Sequence, residues 1–356
     1  MRSWVDVDLG ALLSNARRVA ALSGSRLLPM VKANGYGLGA VEVVRALEPL
    51  DPWGYGVAST DEASALRAAG VTRPLLVTTP LLPQWIDRYL ELDLRPCIGD
   101  PVALEAWIAR SARPFHLEID TGMSRGGARW DDRAALERLR AALTESAGWE
   151  GVFTHFVSAE CDNALTARQW DRFQQTLNFF PRRPPLVHAA NSAAALLGTT
   201  YAGDLVRPGI FLYGGAAGPI APLPVAALRG RVVALRSIRA GDTVGYNATW
   251  QADRVTVIAT IAVGYADGFP RSAHEREGKP IPRQIELAGR LRPVVGRVTM
   301  DMCMVVVDDD VAIRDVATIY GGLVSIDEQA AAAGTVAYEL LTRLGPRVTR
   351  RYQGLR

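Results

Sequence analysis

Between residues 27 and 225 the chain alternates two kinds of segment. Short apolar runs of strand length fall at 27–31 (LLPMV), 54–58 (GYGVA), 75–78 (LLVT), 94–97 (LRPC), 115–119 (FHLEI), 151–155 (GVFTH), 186–189 (LVHA) and 204–206 (DLV). Between most of them lie longer stretches with apolar positions at helical spacing. In 60–69 (TDEASALRAA) a Thr cap precedes two acids and an apolar stripe, and Ala134, Leu136, Leu139 and Leu143 form another within 131–147. Eight strands alternating with helices predict a closed parallel (β/α)8 barrel of the TIM type. The alternative, a doubly wound open sheet, lacks the GxGxxG that would follow its first strand. After residue 226 the texture changes. VVALRSI, RVTVIATIAVGY, IELAGRLRPVVGRV, CMVVVDD and ATIYG are rich in Val and Ile and broken by Gly, Asp and Pro, which predicts a mostly antiparallel β domain with one late helix near 327–344. The expected division is therefore an α/β chain with a barrel over 9–225 and a β-rich domain over 226–356, joined near the Ala- and Pro-rich stretch 216–224.

Composition removes several classes. Apolar residues are 49% and charged residues 22%, as in a globular protein, which excludes a disordered or collagen-like chain. The formal charge of +3, with no basic cluster, gives no argument for nucleic acid. No run of about 18 apolar residues predicts a membrane span. The first ten residues, MRSWVDVDLG, have no apolar core of a secretory signal, so a cytoplasmic protein is expected. Cys97, Cys161 and Cys303 are odd in number and far apart, which suits a reducing compartment and fits no zinc site; no metal is expected. The basic residues carry one further clue. Of 40, only Lys32 and Lys279 are lysine. A chain that has lost nearly every lysine draws attention to the two it keeps.

In such a barrel reactive groups sit at the C-terminal ends of the strands. Strand one ends at Lys32, in VKANGYGLG. Strand five leads to Asp120 and to Arg125 within TGMSRGG. Strand six ends at His155, strand seven leads to Asn191 and Ser192 at a helix start, and strand eight leads to Arg207, Pro208, Gly209 and Ile210. Lys32 reads either as a strand-end lysine reaching solvent or as an amine whose charged form is disfavoured at an apolar mouth, the kind that forms Schiff bases. The loops after strands seven and eight read as an ordinary cap and turn, or as a phosphate site built from the Ser192 hydroxyl and the backbone N–H groups of Gly209 and Ile210. Lysine and phosphate loops together suggest a phosphorylated aldehyde, pyridoxal 5'-phosphate. In the β domain, VGYADGFPR (263–271) places Tyr265 at a turn, as a plain exposed tyrosine or an acid–base group delivered elsewhere. VGRVTMD (295–301) reads as a strand and its end.

Taken in order, these motifs resemble the alanine racemase family. VKANGYGLGA, EIDTGMSRGG, THFVSAE, HAANS, VRPGIFLYG, VGYADGFPR, VGRVTMDM and VAYELLTRLGPRVTRRY follow one another from Trp4 to Tyr352. The resemblance implies a pyridoxal-phosphate isomerase interconverting L- and D-alanine by a two-base mechanism, with D-alanine supplied for peptidoglycan. Serine or broader amino-acid specificity is the alternative. Lys32 would hold the cofactor as an internal aldimine and act as one base. Tyr265 would be the other, on the opposite face, supplied across a homodimer so that the active sites are shared. His155 would lie behind Tyr265 and help it lose its proton. Arg207 would face the pyridine nitrogen. Tyr36, Asn191, Ser192, Gly209, Ile210 and Tyr338 would hold the cofactor, and Arg125 with the Met300 backbone would receive the substrate carboxylate.

The chain departs from the family pattern at four positions, one of them Gly35, where NGYG replaces the usual NAYG. Where relatives carry a carbamate-modified lysine, this chain has Glu118, which predicts a salt bridge from Glu118 to Arg125. The usual histidine of the first motif is Leu38, and the acid after the histidine motif is Glu160 in place of Asp, a change that bears on substrate entry. Two rival classes fit less well. A pyridoxal-phosphate carrier on the same barrel would lack the β domain. A decarboxylase would place an acid where Arg207 stands.

Overall fold

The computed structural model describes residues 1–144, 146–161, 163–271, 275–276 and 279–354. Eight parallel strands form the first unit: Arg26–Leu27, Tyr55–Val57, Leu75–Pro80, Leu94–Ile98, Phe115–Asp120, Trp149–Phe153, Leu186–His188 and Leu205–Val206. Strands two to seven pair in sequence order, and strand eight pairs with strand one. Backbone bonds complete the ring. Asp204 N–H donates to Val187 O at 2.8 Å and Arg207 N–H to Ala190 O at 2.9 Å, while Met30 bridges Gly56. The barrel is closed as expected, with strands at 94–98 and 205–206 where the runs 94–97 and 204–206 predict them. Its strands read as unbroken apolar runs because both faces are covered. Leu75, Leu76, Val77, Phe115 and Leu117 are all buried.

The second unit is a sheet in the order 256–261, 303–307, 290–295, 284–287, 316–320, 226–238, 3–8, 349–353. Thr256–Ile261 also pairs with Ala226–Ile238, so six strands close on themselves. The pairings are antiparallel except that Ser3–Asp8 runs parallel to Thr349–Gln353. Asp8 ends that first strand and caps the following helix, Leu9–Ser23, by accepting from Ala11 N–H at 2.8 Å, so the chain crosses directly from this sheet into the barrel.

Local details differ from the sequence pattern. The cap of helix Thr60–Ala68 is Ser59, whose hydroxyl accepts from Glu62 N–H; Thr60 is its first helical residue. In helix Arg133–Thr144, Leu136, Leu139 and Leu143 are buried but Ala134 is exposed. The single late helix is two, Ile326–Ala332 and Ala337–Thr342, because Gly334 at φ +71° interrupts it. Lys279 starts a two-residue strand, and its side chain lies outside the described residues. Cys97 and Cys303 are buried and Cys161 exposed, all three free.

Candidate active site

At the C-terminal mouth of the barrel lies a cavity of about 560 Å³, within the size range of small-molecule sites. Lys32, Tyr36, Glu118, Arg125, His155, Asn191, Ser192, Arg207, Gly209, Ile210 and Tyr338 all line it. Eleven of the thirteen residues singled out from sequence thus meet at one opening, drawn from barrel strands one, five, six, seven and eight and from helix Ala337–Thr342 of the second unit.

Lys32 lies five residues past the strand Arg26–Leu27, just beyond the bridge from Met30 to Gly56. The backbone that follows coils left-handed: Ala33 (φ 52°, ψ 46°), Asn34 (φ 54°, ψ 51°), Gly35 (φ 62°, ψ 47°) and Tyr36 (φ 53°). For residues with a Cβ this conformation costs about 1–2 kcal/mol each, so the surroundings must hold it. Tyr36 stacks on Tyr213 with ring centroids 4.3 Å apart. The second unit grips the same turn, with Arg350 donating to Gly37 O and the Tyr352 hydroxyl to Leu38 O, each at 2.9 Å. Burial lowers the pKa of the Lys32 amine. Arg125 and Arg207 push it the same way, while Glu62 opposes them.

Arg207 is buried and fixed on several sides. It donates to His188 Nδ1 at 2.7 Å, to Thr154 O at 2.7 Å and to Ala189 O at 3.0 Å, and more distantly to His155 Nδ1 at 3.4 Å. Burial brings it down to about 10, so it remains a cation at neutral pH. Burial first, then Arg207, Arg125 and Lys32, brings His155 down to about 3, so its imidazole is neutral. Asn191 caps helix Ser192–Ala195, accepting from Ala194 N–H at 3.0 Å. Ser192 Oγ accepts from Gly209 N–H at 2.8 Å, which leaves its own hydroxyl hydrogen to donate elsewhere. A side chain at position 209 would collide with the Tyr36 hydroxyl, so glycine is required for this closeness.

The expected salt bridge between Glu118 and Arg125 is not formed: among the ion pairs of the described residues none joins them. Glu118 is buried inside strand five, whereas Arg125 lies exposed on the loop beyond it. That loop is folded over Asp120, whose Oδ1 accepts from Gly122 and Ser124 N–H. The two charges act across the cavity instead. Burial raises the Glu118 pKa, and Arg125 offsets part of the rise. Leu38 is buried in the core, and Glu160 is exposed near Tyr338, whose hydroxyl is raised to about 12 by burial and then by Glu160.

Tyr265 and Met300 are not part of this cavity. They lie together on the second unit, 40% and 52% exposed. Tyr265 N–H donates to Thr299 O at 3.0 Å and Ala266 N–H to Met300 O at 3.1 Å. Behind them the buried Asp267 accepts from Gly264 N–H and from Arg2 and Arg347, and Arg347 also donates to Met300 O.

Sequence patterns missed four residues, Glu62 at the mouth and three that run from Arg207 into the barrel. Glu62 reads as one of two acids in a first helical turn, with nothing to set it apart from Asp61. His116, His188 and Glu150 lie on three different strands, so no spacing connects them. In the fold they make a chain: His188 Nδ1 accepts from Arg207, His188 Nε2 meets His116 Nδ1 at 2.8 Å, and His116 Nε2 meets Glu150 at 3.3 Å. Since Arg207 can only donate, each imidazole carries its proton on Nε2, and the chain of donors ends on a carboxylate.

A closed barrel presenting an amine, guanidiniums and a neutral histidine at its mouth, continued into a closed antiparallel sheet, defines a two-domain barrel protein equipped for carbonyl–amine chemistry. The alanine racemase N-terminal domain profile matches residues 7–217 and the C-terminal domain profile residues 225–352. The chain belongs to the alanine racemase family. It is 38% identical to the alanine racemase of Deinococcus radiodurans over 360 residues, covering 98% of this chain and 99% of that one. It is 39% identical to that of Acidiphilium cryptum over 355 residues, 97% of each. Among solved structures it resembles the biosynthetic alanine racemase of Pseudomonas aeruginosa with a TM-score of 0.89 at 34% identity, covering 99% and 100% of the two chains. It also resembles the alanine racemase of Bartonella henselae with covalently bound pyridoxal phosphate, with a TM-score of 0.90 at 27% identity and the same coverage.

Proposed function

We propose that this protein interconverts L- and D-alanine, with pyridoxal 5'-phosphate held at the barrel mouth and Lys32 and Tyr265 as the two acid–base groups. The observation that carries the reading is the meeting of Lys32, Arg207, His155, Arg125 and Ser192 on one cavity, together with Tyr265 and Met300 paired on an exposed face of the same chain. The donor set fits the cofactor: an amine for the aldehyde, a hydroxyl and the Gly209–Ile210 backbone for the phosphate, and a fixed guanidinium for the ring nitrogen. Tyr36, Asn191 and Tyr338 complete the cradle.

When bound, the cofactor draws electrons away from the substrate Cα–H bond. Inversion at Cα then needs a proton taken from one face and one returned to the other, which a single base does poorly and two groups on opposite faces do well. Lys32 serves one face and Tyr265 the other. His155, neutral and beside Arg207, assists Tyr265. Arg207 keeps its own proton and so hands none to the ring nitrogen, which restrains electron withdrawal and favours proton return over other outcomes. Arg125 and the Met300 backbone receive the substrate carboxylate, with Glu118 setting the charge balance.

Residues 9–225 then bind the cofactor and residues 226–356 carry the second base, which acts in a homodimer with shared sites. The exposure of Tyr265 and Met300 supports that assembly. No helix among the described residues is long and apolar enough to cross a membrane, and the proposed setting is the cytoplasm, where D-alanine is made for peptidoglycan. The test is incubation of purified protein with L-alanine and with L-serine, assaying each D-product. D-alanine formed faster is the expected result. D-serine formed as fast assigns broader specificity, and no D-product from either refutes the reading.

A further inference from the structure

Lys32 is followed by five consecutive left-handed residues, Ala33 to Gly37, and one side chain ties that turn to the neighbouring strand. Glu62, in the first turn of helix Thr60–Ala68, accepts from Ala33 N–H with Oε1 and from Ala58 N–H with Oε2, both at 2.7 Å. The Ala33 N–H belongs to the peptide that leaves Lys32, and Ala58 directly follows barrel strand two, Tyr55–Val57. The carboxylate therefore spans two strand ends, and it lines the cavity that the amine faces. Asn34 adds a second tie within the turn by accepting from Ala40 N–H at 3.0 Å. The neighbouring donors of the turn are met by the chain itself, Gly35 N–H by Val31 O and Gly37 N–H by Ala33 O, whereas the Ala33 N–H goes to Glu62.

We propose that Glu62 is a positioning residue for Lys32: by holding the left-handed turn onto the end of strand two, it fixes where the amine meets a carbonyl. The inference rests on Lys32 being the lysine that binds the cofactor aldehyde. Glu62 is also the one anion among the charges that bear most on the amine, the others being Arg125 and Arg207, with His155 neutral beside them. Its two effects are separable. Spanning two N–H groups sets position, and its charge favours the protonated amine.

The scarcity of lysine provides the assay. Full-length protein freed of cofactor is mixed with pyridoxal 5'-phosphate across a pH series, trapped with borohydride, and digested; peptide masses report capture at Lys32 against Lys279 as internal reference. Wild type captures at Lys32 in preference. Glu62→Gln, nearly isosteric, loses charge and turns a donor toward one N–H. Its plateau rate at high pH falls about tenfold or more at Lys32 alone, and the midpoint of its pH profile moves down because an anion beside the amine is gone. Glu62→Asp keeps the charge but is too short to span, so its plateau falls with little change in midpoint. Glu105→Gln, on the exposed surface, changes neither. A plateau within twofold of wild type in either Glu62 variant overturns the inference. Equal capture at Lys32 and Lys279 in wild type overturns the cofactor reading itself, a result distinguishable from the first.

Discussion

The barrel mouth and the Tyr265 turn hold the two halves of one proposed reaction in opposite ways. At the mouth, strands from across the barrel bring Lys32, Arg207, His155 and Ser192 into one cavity within a single chain. Arg207 alone makes four donations there, and the histidines around it are neutral. The Tyr265 turn faces outward, braced from behind by Asp267 and two arginines and outside the cavity at the mouth. The mouth is prepared by burial and the turn by bracing. A group whose task is to be desolvated is buried in its own chain; a group whose task is to be presented to a second site is held rigid at a surface.

The largest expected effect breaks the mouth. Lys32→Arg keeps a positive charge but removes an amine able to form a Schiff base. Racemisation should fall to background, and the absorbance of the lysine-bound cofactor should be absent. Appreciable activity in that variant would show that the mouth does not depend on its lysine.

Tyr265→Phe tests the other half. Loss of one acid–base group lowers kcat by about 10²–10⁴-fold, while the cofactor spectrum stays as in wild type. Mixing this variant with Lys32→Arg sharpens the comparison. If each site takes its lysine from one chain and its tyrosine from the other, randomly reassorted dimers recover about a quarter of wild-type activity. No recovery after reassortment would mean that each chain completes its own site.

The bracing is testable by Asp267→Asn. Asp267 is fully buried and binds Arg2 at 2.9 Å and Arg347 at 2.8 Å. Removing its charge strands both guanidiniums, which still reach water, so the cost is about 3 kcal/mol, at the low end for a broken buried pair. Chemical denaturation measures it. Because the same network bonds Met300 O, kcat should fall as well, whereas capture of pyridoxal 5'-phosphate at Lys32 should not.

How much of this was readable beforehand follows from what sits next to what in the chain. Strand-end chemistry was legible because a barrel converts the residue after each apolar run into a rim position; Lys32, His155 and Arg207 needed only that rule. The antiparallel β domain was legible from its Val- and Ile-rich runs, but its closure was not, since it depends on the pairing of 226–238 with 256–261. The partnership of Glu150, His116 and His188 was not, since three strands must pair before the rings touch. Glu62 was invisible because its bonds go to backbone N–H groups, which leave no trace in residue identity. The Glu118–Arg125 pairing failed for a related reason: seven positions apart on a strand and its loop, the two are close in sequence, but the Asp120-centred turn decides where the arginine goes.

The smallest expected effect separates the two regions by pH. His116, His155 and His188 are buried in the barrel, His155 at its mouth and the other two deeper inside, and each has its pKa lowered, by burial first. The unfolded chain takes up these protons near pH 6.5 while the folded one resists, in the case of His155 down to about 3. Their contribution to stability is therefore fully present above pH 6.5 and is lost as the pH falls below it. Glu118, raised in the fold, works in the opposite sense but only closer to the carboxylate range. Replacing His155 with Gln should remove about 1 kcal/mol of the stability lost between pH 6.5 and 5.5, read from denaturation curves at each pH. Amide exchange should rise on acidification in barrel strands six to eight before it rises around the Tyr265 turn. The reverse order would mean that the turn, and not the mouth, is the region that depends on burial.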